Sequence, residues 1–456
     1  MASRQQAFFA PKATLPWRRW LLAGALACAS PAWSMDLLQA YQAAQKQDPT
    51  ILGTRAATDV ARERTPQALA QLLPNLQASA ARTRNRLVST APNFLGQEST
   101  SDLEYMSSNQ TVQLRQPLYR PYNTALFKQA KEQVKDAEAS LAKEEQNLAA
   151  RVAGAYFEAL LTSEQLDLVL AQKQFYDRQL DGARKAFAAG SGIRTDIDEA
   201  QARLDLTVAQ ELEARQNISY TRRQLQAIVN QPLDELAPLD PAKLQLDDQS
   251  FGSLESWTDR AEQASPELKS LRAQLEAARL EVDKARAGHK PTLDAVVQWQ
   301  RSTSENTTSP LSRYTDNSIG VQLSIPLYAG GYVNSQVRAA VADVRRAEEA
   351  LEATRLDLGT RVNQQYRGVT ENIPKIKALE IAVRSAEQLI ESSRKSYQAG
   401  ARTQLDVLNA EQQRTSALRD LAQARYVYLV SRIRLLALVG GADAQAVADI
   451  NKTLKH

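Results

Sequence analysis

Side chains able to make or break bonds are scarce in this chain. Its 456 residues include one cysteine, Cys28, and two histidines, His289 and His456. A disulfide framework is therefore excluded, as is a cysteine-based metal or redox centre. A catalytic site built on several histidines has nothing to build from. No Gly-x4-Gly-Lys-Ser/Thr phosphate loop occurs. What recurs instead is a glycine with an aspartate six residues on, at Gly190 and Asp196 and again at Gly400 and Asp406. Acids in the first turn of a helix are favourable there, which accounts for Asp196, Asp198 and Glu199 without any function. The repetition is what needs a further account.

Charge narrows the classes. The chain holds 56 Lys+Arg against 52 Asp+Glu. Arg4, Lys12, Arg18 and Arg19 all lie in the first 34 residues, which contain no acid. The remainder carries 52 of each sign and is neutral, which argues against nucleic acid as a partner. Behind Arg18 and Arg19 runs a short apolar stretch over 20–29, followed by the small-residue sites Ala27-Cys-Ala29 and Ala32-Trp-Ser34. The stretch is too short to span a bilayer as a helix, so residues 1–34 read as a secretion signal cleaved after Ser34. Acylation of Cys28 is the rival reading. Leu26 stands one position from where a lipobox needs its leucine, so a small apolar role for Cys28 within the signal is preferred.

The rest of the chain is one unit written twice. Asp48-Pro49 and Pro74 are answered by Ser265-Pro266 and Pro291. Gln113-Leu-Arg-Gln-Pro-Leu-Tyr119 is answered by Gln322-Leu-Ser-Ile-Pro-Leu-Tyr328, and Phe187-Ala-Ala-Gly190 by Tyr397-Gln-Ala-Gly400. From Leu141 and Leu351 onward the offset holds at 210. The units are 35–231 and 255–441. A Pro- and Asp-rich segment, 232–254, links them, and 442–456 is a tail.

Each unit needs two long helices, at about 121–189 and 194–230, then about 332–399 and 404–439. No proline interrupts 123–189, and Leu126, Ala130, Val134, Ala137 and Leu141 mark one coiled-coil face. At 1.5 Å per residue such a helix is about 100 Å long. A helix over 49–73 and that over 194–229 can stack end to end beside it. Pro374 predicts a kink or break in the long helix of the second unit.

Each unit also needs two strands, at about 74–87 and 107–119, then about 291–303 and 317–328. Leu293, Ala295, Val297 and Trp299 alternate with Asp294, Gln298 and Gln300, with one exception at Val296, and Ile319, Val321, Leu323 and Ile325 alternate with Gly320, Gln322 and Ser324. Segments of about ten residues with this period are the mark of a transmembrane β-barrel. Trp299, Tyr119, Tyr122, Tyr328 and Tyr332 are candidates for interfacial girdles, with core packing as the plainer alternative. A barrel in lipid must close. One chain supplies four strands and barrels need about eight or more, so chains must pool them. Composition alone leaves dimer and trimer open.

Strand, loop, strand, long helix, turn and helix, twice over and behind a signal, resembles the TolC family of outer-membrane channel-tunnel proteins. Met35-Asp-Leu-Leu-Gln-Ala-Tyr-Gln-Ala43, Gln116-Pro-Leu-Tyr119, Thr195-Asp196-Ile197 with Ala200-Gln201-Ala202-Arg203, and Asp406-Val-Leu408 carry the likeness. It covers essentially the whole chain after the signal. The resemblance implies a mainly α fold with a membrane β-barrel part: a homotrimer with a twelve-stranded barrel and a periplasmic α-helical tunnel. It implies a periplasmic adaptor (membrane fusion) protein, an inner-membrane ABC or proton-driven pump and outer-membrane lipid as partners, and no cofactor. It implies an exit duct for efflux or type I secretion, gated at its periplasmic tip. A coiled-coil scaffold without a pore is the alternative, and an envelope enzyme a weaker third.

Under the same resemblance, Thr195, Asp196, Tyr397 and Arg402 match the gate. Arg402 would bond Asp196 and Thr195 of a neighbouring chain, and Tyr397 would bond Asp196 in its own. Gly190, Ser191 and Gly192 with Gly400 and Ala401 would form the tips that meet the adaptor. Asp406 matches one of two aspartate rings at the pore constriction. At the other the chain carries Asn409, a departure that removes three carboxylates per trimer and leaves the strength of cation selectivity open, with Asp198 and Glu199 on the facing helix as candidates to compensate.

Overall fold

The computed structural model describes residues 34–233, 235–246, 251–304 and 312–455. The signal before Ser34, with Cys28, lies outside the described residues, as do residues 305–310 of the polar loop and His456.

The first unit opens with α1 (Leu37–Gln47), α2 (Pro49–Arg62) and α3 (Arg64–Ala70). Asp48 starts α2 by accepting from the Thr50 amide at 2.6 Å, and Pro49 presets the first helical φ. Strands β1 (Asn75–Pro92) and β2 (Glu98–Tyr119) follow, then α4 (Pro121–Ala188) and α5 (Arg194–Val229). The second unit runs α6 (Leu254–Ala264), α7 (Pro266–Arg286), β3 (Thr292–Thr303), β4 (Arg313–Ser324), α8 (Tyr332–Thr370), α9 (Asn372–Gln398) and α10 (Gln404–Leu438). A last helix, α11 (Ala444–Asn451), lies in the tail, which Asn451 ties to the chain start through a 3.1 Å bond to Asp36.

Proline sets two of the breaks. It lacks the N–H that would reach the carbonyl four residues back, and its ring crowds that carbonyl. Pro66 does this to Arg62, where α2 ends. Pro374 does it to Thr370, where α8 ends. The helix expected over 332–399 is therefore two, interrupted at Glu371.

Three other expectations need correction. β1 and β2 run well past 87 and begin well before 107, reaching a tight turn at 93–97. There Asn93 Oδ1 accepts from the amides of Leu95 and Gln97, and Gly96 takes φ 79°. Polar residues dominate this upper stretch, so no alternation betrays it. β4 spans Arg313–Ser324, not 317–328, because Pro326 has no N–H to give a ladder. α6 and α7 had no counterpart in the sequence reading; α7 fills, in the second unit, the place of the 49–73 helix.

The four strands form one antiparallel sheet in the order β1-β2-β3-β4. Its register puts Leu76, Leu114, Val297 and Ile319 in one row, and Ala78, Val112, Trp299 and Asn317 in the next. The opposite face carries Gln77, Gln113, Gln298 and Ser318. One face suits lipid and the other water. Among the described residues, β1 and β4 each keep one edge without a partner strand.

Below the sheet, α4 lies against α2, α3 and α7 along its first half and against α5 along its second, while α10 lies against α9 and α4. The main core sits at their shared waist, where Leu148, Phe157, Leu225, Leu358, Ile376 and Leu429 are buried together. Buried Tyr156 locks the waist: its hydroxyl reaches the carbonyls of Met35 and Ala237, each at 3.0 Å.

Candidate functional site: the helix-pair tips and the sheet lining

The two inter-helix turns are built alike. At the end of α4 the Gly190 amide reaches the Phe187 carbonyl and the Ser191 amide the Ala186 carbonyl, both at 3.0 Å. At the end of α9 the Gly400 and Ala401 amides reach Tyr397 and Ser396 at 2.9 Å. This pairing is the left-handed helix stop that favours glycine, and Gly190 and Gly400 have φ 73° and 75°. Gly192 is constrained differently. A Cβ there would meet the Phe187 amide nitrogen at 2.9 Å and the Ala186 carbonyl carbon at 3.0 Å, both backbone. Gly192→Ala is expected to destabilise this turn by about 1–3 kcal/mol through forced backbone movement. Amide exchange at 186–194 checks this: it should accelerate while exchange at 396–404 stays unchanged.

After the turns the two copies diverge. α10 begins with Thr403 as N-cap, and Asp406 completes a capping box. The Asp406 carboxylate accepts from the Thr403 amide at 2.9 Å and hydroxyl at 2.8 Å. Those two bonds, the backbone one first, outweigh slight desolvation, and nearby Arg402 adds to them. The carboxyl is thereby held below its ordinary value of 3.8. A depressed carboxyl stabilises the fold above its ordinary value and loses that contribution as pH falls through the folded one. Acidification below 3.8 is therefore expected to fray the first turn of α10 before the waist loosens. Hydrogen exchange across a pH series measures it, and Thr403→Ala should give the same fraying at neutral pH.

α5 starts with Ile193 in the N-cap position, and no side chain caps it. Asp196, the counterpart of Asp406, has no hydroxyl to hold it, and among the described residues no hydrogen bond engages its carboxylate. Thr195 is exposed beside it. Arg402 is exposed and reaches the buried Ser393 hydroxyl at 2.8 Å. Among the described residues no hydrogen bond joins Tyr397 to Asp196. Tyr397 packs instead on the small tip cluster of Phe175, Tyr176, Val407 and Leu408.

Asn409 is not idle. Its Oδ1 accepts from Arg203 of α5 at 2.9 Å, and Arg203 also bonds Gln412. Arg203 thus joins α5 to α10, a role that no local sequence pattern shows. Its partners lie 206 and 209 positions away, and only the folded chain brings them together.

A second missed constellation stands where the sheet meets the helices. Asp294 is buried on the water-facing side of β3. Arg120 grips it with Nε at 2.8 Å and a terminal nitrogen at 2.5 Å, and Arg115 adds Nε at 2.9 Å. The triad joins the first unit to the second at the foot of the sheet.

Among the described residues no group of three or more His, Cys, Asp or Glu could hold a metal ion, and no helix is long and apolar enough to cross a membrane. A sheet with one lipid-compatible face, set on a helical body whose longest helix, α4, runs about 100 Å, fits an outer-membrane channel with a helical tunnel. The comparisons agree. The family model for outer membrane efflux protein matches residues 40–231 and 257–441, one segment per unit, and the chain belongs to that family. It is 34% identical over 414 residues to the alkaline protease secretion protein AprF of Pseudomonas aeruginosa, covering 90% of this chain and 86% of AprF. It is 29% identical over 429 residues to outer membrane protein TolC of Vibrio cholerae, covering 93% and 95%. The solved outer membrane protein VceC of Vibrio cholerae shares the fold, with a TM-score of 0.76 at 20% identity over 89% of this chain and 97% of VceC. The protein is an outer-membrane exit duct of the efflux and secretion class whose helices span the periplasm. It is a passive conduit and not an enzyme, and the pore-free scaffold is not favoured.

Proposed function

We propose that three copies of the chain pool their strands into one twelve-stranded barrel, continued below by a helical tunnel closed at the tips. The observation that carries this is the four-stranded sheet with an apolar face and two unpartnered edges. Lipid does not tolerate such edges. Two copies would give eight strands, a barrel whose interior side chains fill, whereas twelve leave a passage.

The gate is the set Thr195, Asp196, Tyr397 and Arg402. The uncapped Asp196 and the exposed Arg402 are opposite charges on the two helix pairs, available to a neighbouring copy. A periplasmic adaptor seats on Gly190, Ser191, Gly192, Gly400 and Ala401 and draws the helix pairs apart, while an inner-membrane ABC or proton-driven pump supplies the work. Asp406 and Asn409 line the constriction. Asp406 stays ionised, but Asn409 is neutral and Arg203 brings a cation to it, so cation selectivity there is weaker than two aspartate rings would give. The protease-secretion name of AprF supports proteins as one cargo class.

The test is to purify the chain from outer membranes and reconstitute it in a planar bilayer. Heat-sensitive trimers that conduct in a low, steady state are the expected result. A monodisperse dimer, or a trimer that never conducts, would overturn the reading.

A further inference from the structure

The lipid-compatible face of the sheet does not end in neutral residues. The row above Ala78, Val112, Trp299 and Asn317 is Ala80, Gln110, Arg301 and Thr315. The next is Arg82, Ser108, Thr303 and Arg313. Arginine thus appears on β1, β3 and β4 within two rows of the apolar band, on the band's own face. All three of these arginines are exposed. Among the described residues none of Arg82, Arg301 and Arg313 has a hydrogen-bond or ion-pair partner. Higher on the same face the charges are already matched, with Arg84 on Glu104 at 2.6 Å and Arg86 on Asp102 at 2.5 Å. No acid occupies either arginine-bearing row.

Position says what these cations meet. From Leu293 to the row of Thr303, Arg313 and Arg82 the strand runs about 33 Å at roughly 3.3 Å per residue, which a tilt of about 35–45° turns into a height of about 25 Å, close to the thickness of a barrel's apolar band. Trp299, one row below Arg301, is of the type that settles at a membrane–water boundary. The helices lie at the periplasmic end, so this boundary is the outer one. Strand tilt staggers the rows, which makes the arginines a belt of some height and not a flat ring.

We propose that Arg82, Arg301 and Arg313 form a lipid-facing belt that binds the phosphate groups of outer-leaflet lipid, each guanidinium offering paired N–H donors to phosphate oxygens. The inference rests on the membrane reading above, since it takes the apolar face as the one in lipid. The ligand is a phosphate carried on an acyl-chain anchor. The band below holds the chains while the belt holds the headgroup, so free phosphate lacks half of the site. Arginine is suited to this because its planar fork matches a phosphate edge.

The assembled protein in neutral detergent is titrated with a bis-phosphorylated, acylated glycolipid, with the same glycolipid dephosphorylated, and with inorganic phosphate. Native mass spectrometry counts the lipid retained. Wild type is expected to retain the phosphorylated lipid and not the other two ligands. In the Arg82→Gln/Arg301→Gln/Arg313→Gln variant its affinity should fall roughly tenfold or more. Arg86→Gln, whose arginine already has Asp102, should bind as wild type does. Equal retention by the triple variant, equal retention of the dephosphorylated lipid, or binding of inorganic phosphate at matched concentration would each overturn the proposal. If the triple variant does not assemble, the single variants decide: each must bind more weakly than wild type, or the belt is wrong. Conductance is recorded in parallel. A wild type that neither inserts nor conducts refutes the membrane reading, and one that conducts but retains no phosphorylated lipid refutes only the belt.

Discussion

Replacing Arg402 by serine and Tyr397 by phenylalanine together is expected to raise single-channel conductance well above that of the parent protein. The two residues act at different joints. Arg402 is exposed, carries a full charge and uses one of its donors on Ser393, leaving the rest for Asp196 and Thr195 of the next copy. Tyr397 packs its ring on the Phe175 and Val407 cluster, which phenylalanine keeps, so removing its hydroxyl tests only a bond to Asp196 formed in the assembled gate. An exposed charged link is worth about 0–1 kcal/mol, so one alone would hardly hold a gate. Three symmetry-related links would act on one opening equilibrium, however, and together could supply up to about 3 kcal/mol. Their loss would shift the closed-to-open ratio by up to roughly 100-fold, at about 1.4 kcal/mol per factor of ten. Planar-bilayer recording reads this directly. An unchanged conductance in a mutant that still forms trimers would move the gate elsewhere, with the Arg203–Asn409 joint the next to test.

The second large effect concerns stability. Asp294→Ala should lower the temperature at which the assembly dissociates more than any exposed ion-pair deletion in the same sheet. Asp294 is 2% exposed and takes four guanidinium contacts from Arg115 and Arg120. Removing one partner of a buried pair leaves charge uncompensated and costs about 3–5 kcal/mol. Both arginines keep some solvent contact, with side-chain exposures of 46% and 28%, so about 2–4 kcal/mol is the better expectation here. Arg84→Ala, which breaks the exposed pair to Glu104, is the comparison and should cost about 0–1 kcal/mol. Dissociation followed by gel mobility against temperature separates the two. Equal shifts would mean that the triad at the foot of the sheet does not hold the two units together.

How much of this was legible beforehand follows from which forces leave a periodic trace. β3 alternates because lipid lies on one side and water on the other up to Trp299, so Leu293, Ala295, Val297 and Trp299 could be read straight from the sequence. β1 alternates only up to Ala80. Beyond Arg82 both faces meet water, and Arg82, Arg84 and Arg86 obey no apolar rule, so the upper half of the first hairpin was invisible. The breaks at Arg62 and Thr370 are local proline effects, and only the second was anticipated. At the tips, the glycines that end α4 and α9 were legible because a left-handed residue is a local demand. The contrast between Asp196 and Asp406 was not. It depends on whether the N-cap three residues earlier is Ile193 or Thr403, a difference the repeat itself disguises. Arg203 and the Asp294 triad depend on contacts between the two units, and no pattern within one unit records them.

The account rests on closure of the sheet between copies, and cross-linking tests that most directly. The chain after residue 34 contains no cysteine, so a pair can be introduced into a clean background. A cysteine at Ala78 on the free edge of β1 is combined in turn with one at Asn317, Ile319, Val321 or Leu323 on the free edge of β4. Facing residues on neighbouring strands have Cβ atoms about 4.5–5.5 Å apart, close enough for a disulfide after small adjustment. At one register, oxidised outer membranes should show covalent dimers and trimers and nothing larger. Monomers at every register, or a ladder that stops at dimers or continues past trimers, would contradict a barrel closed by three copies.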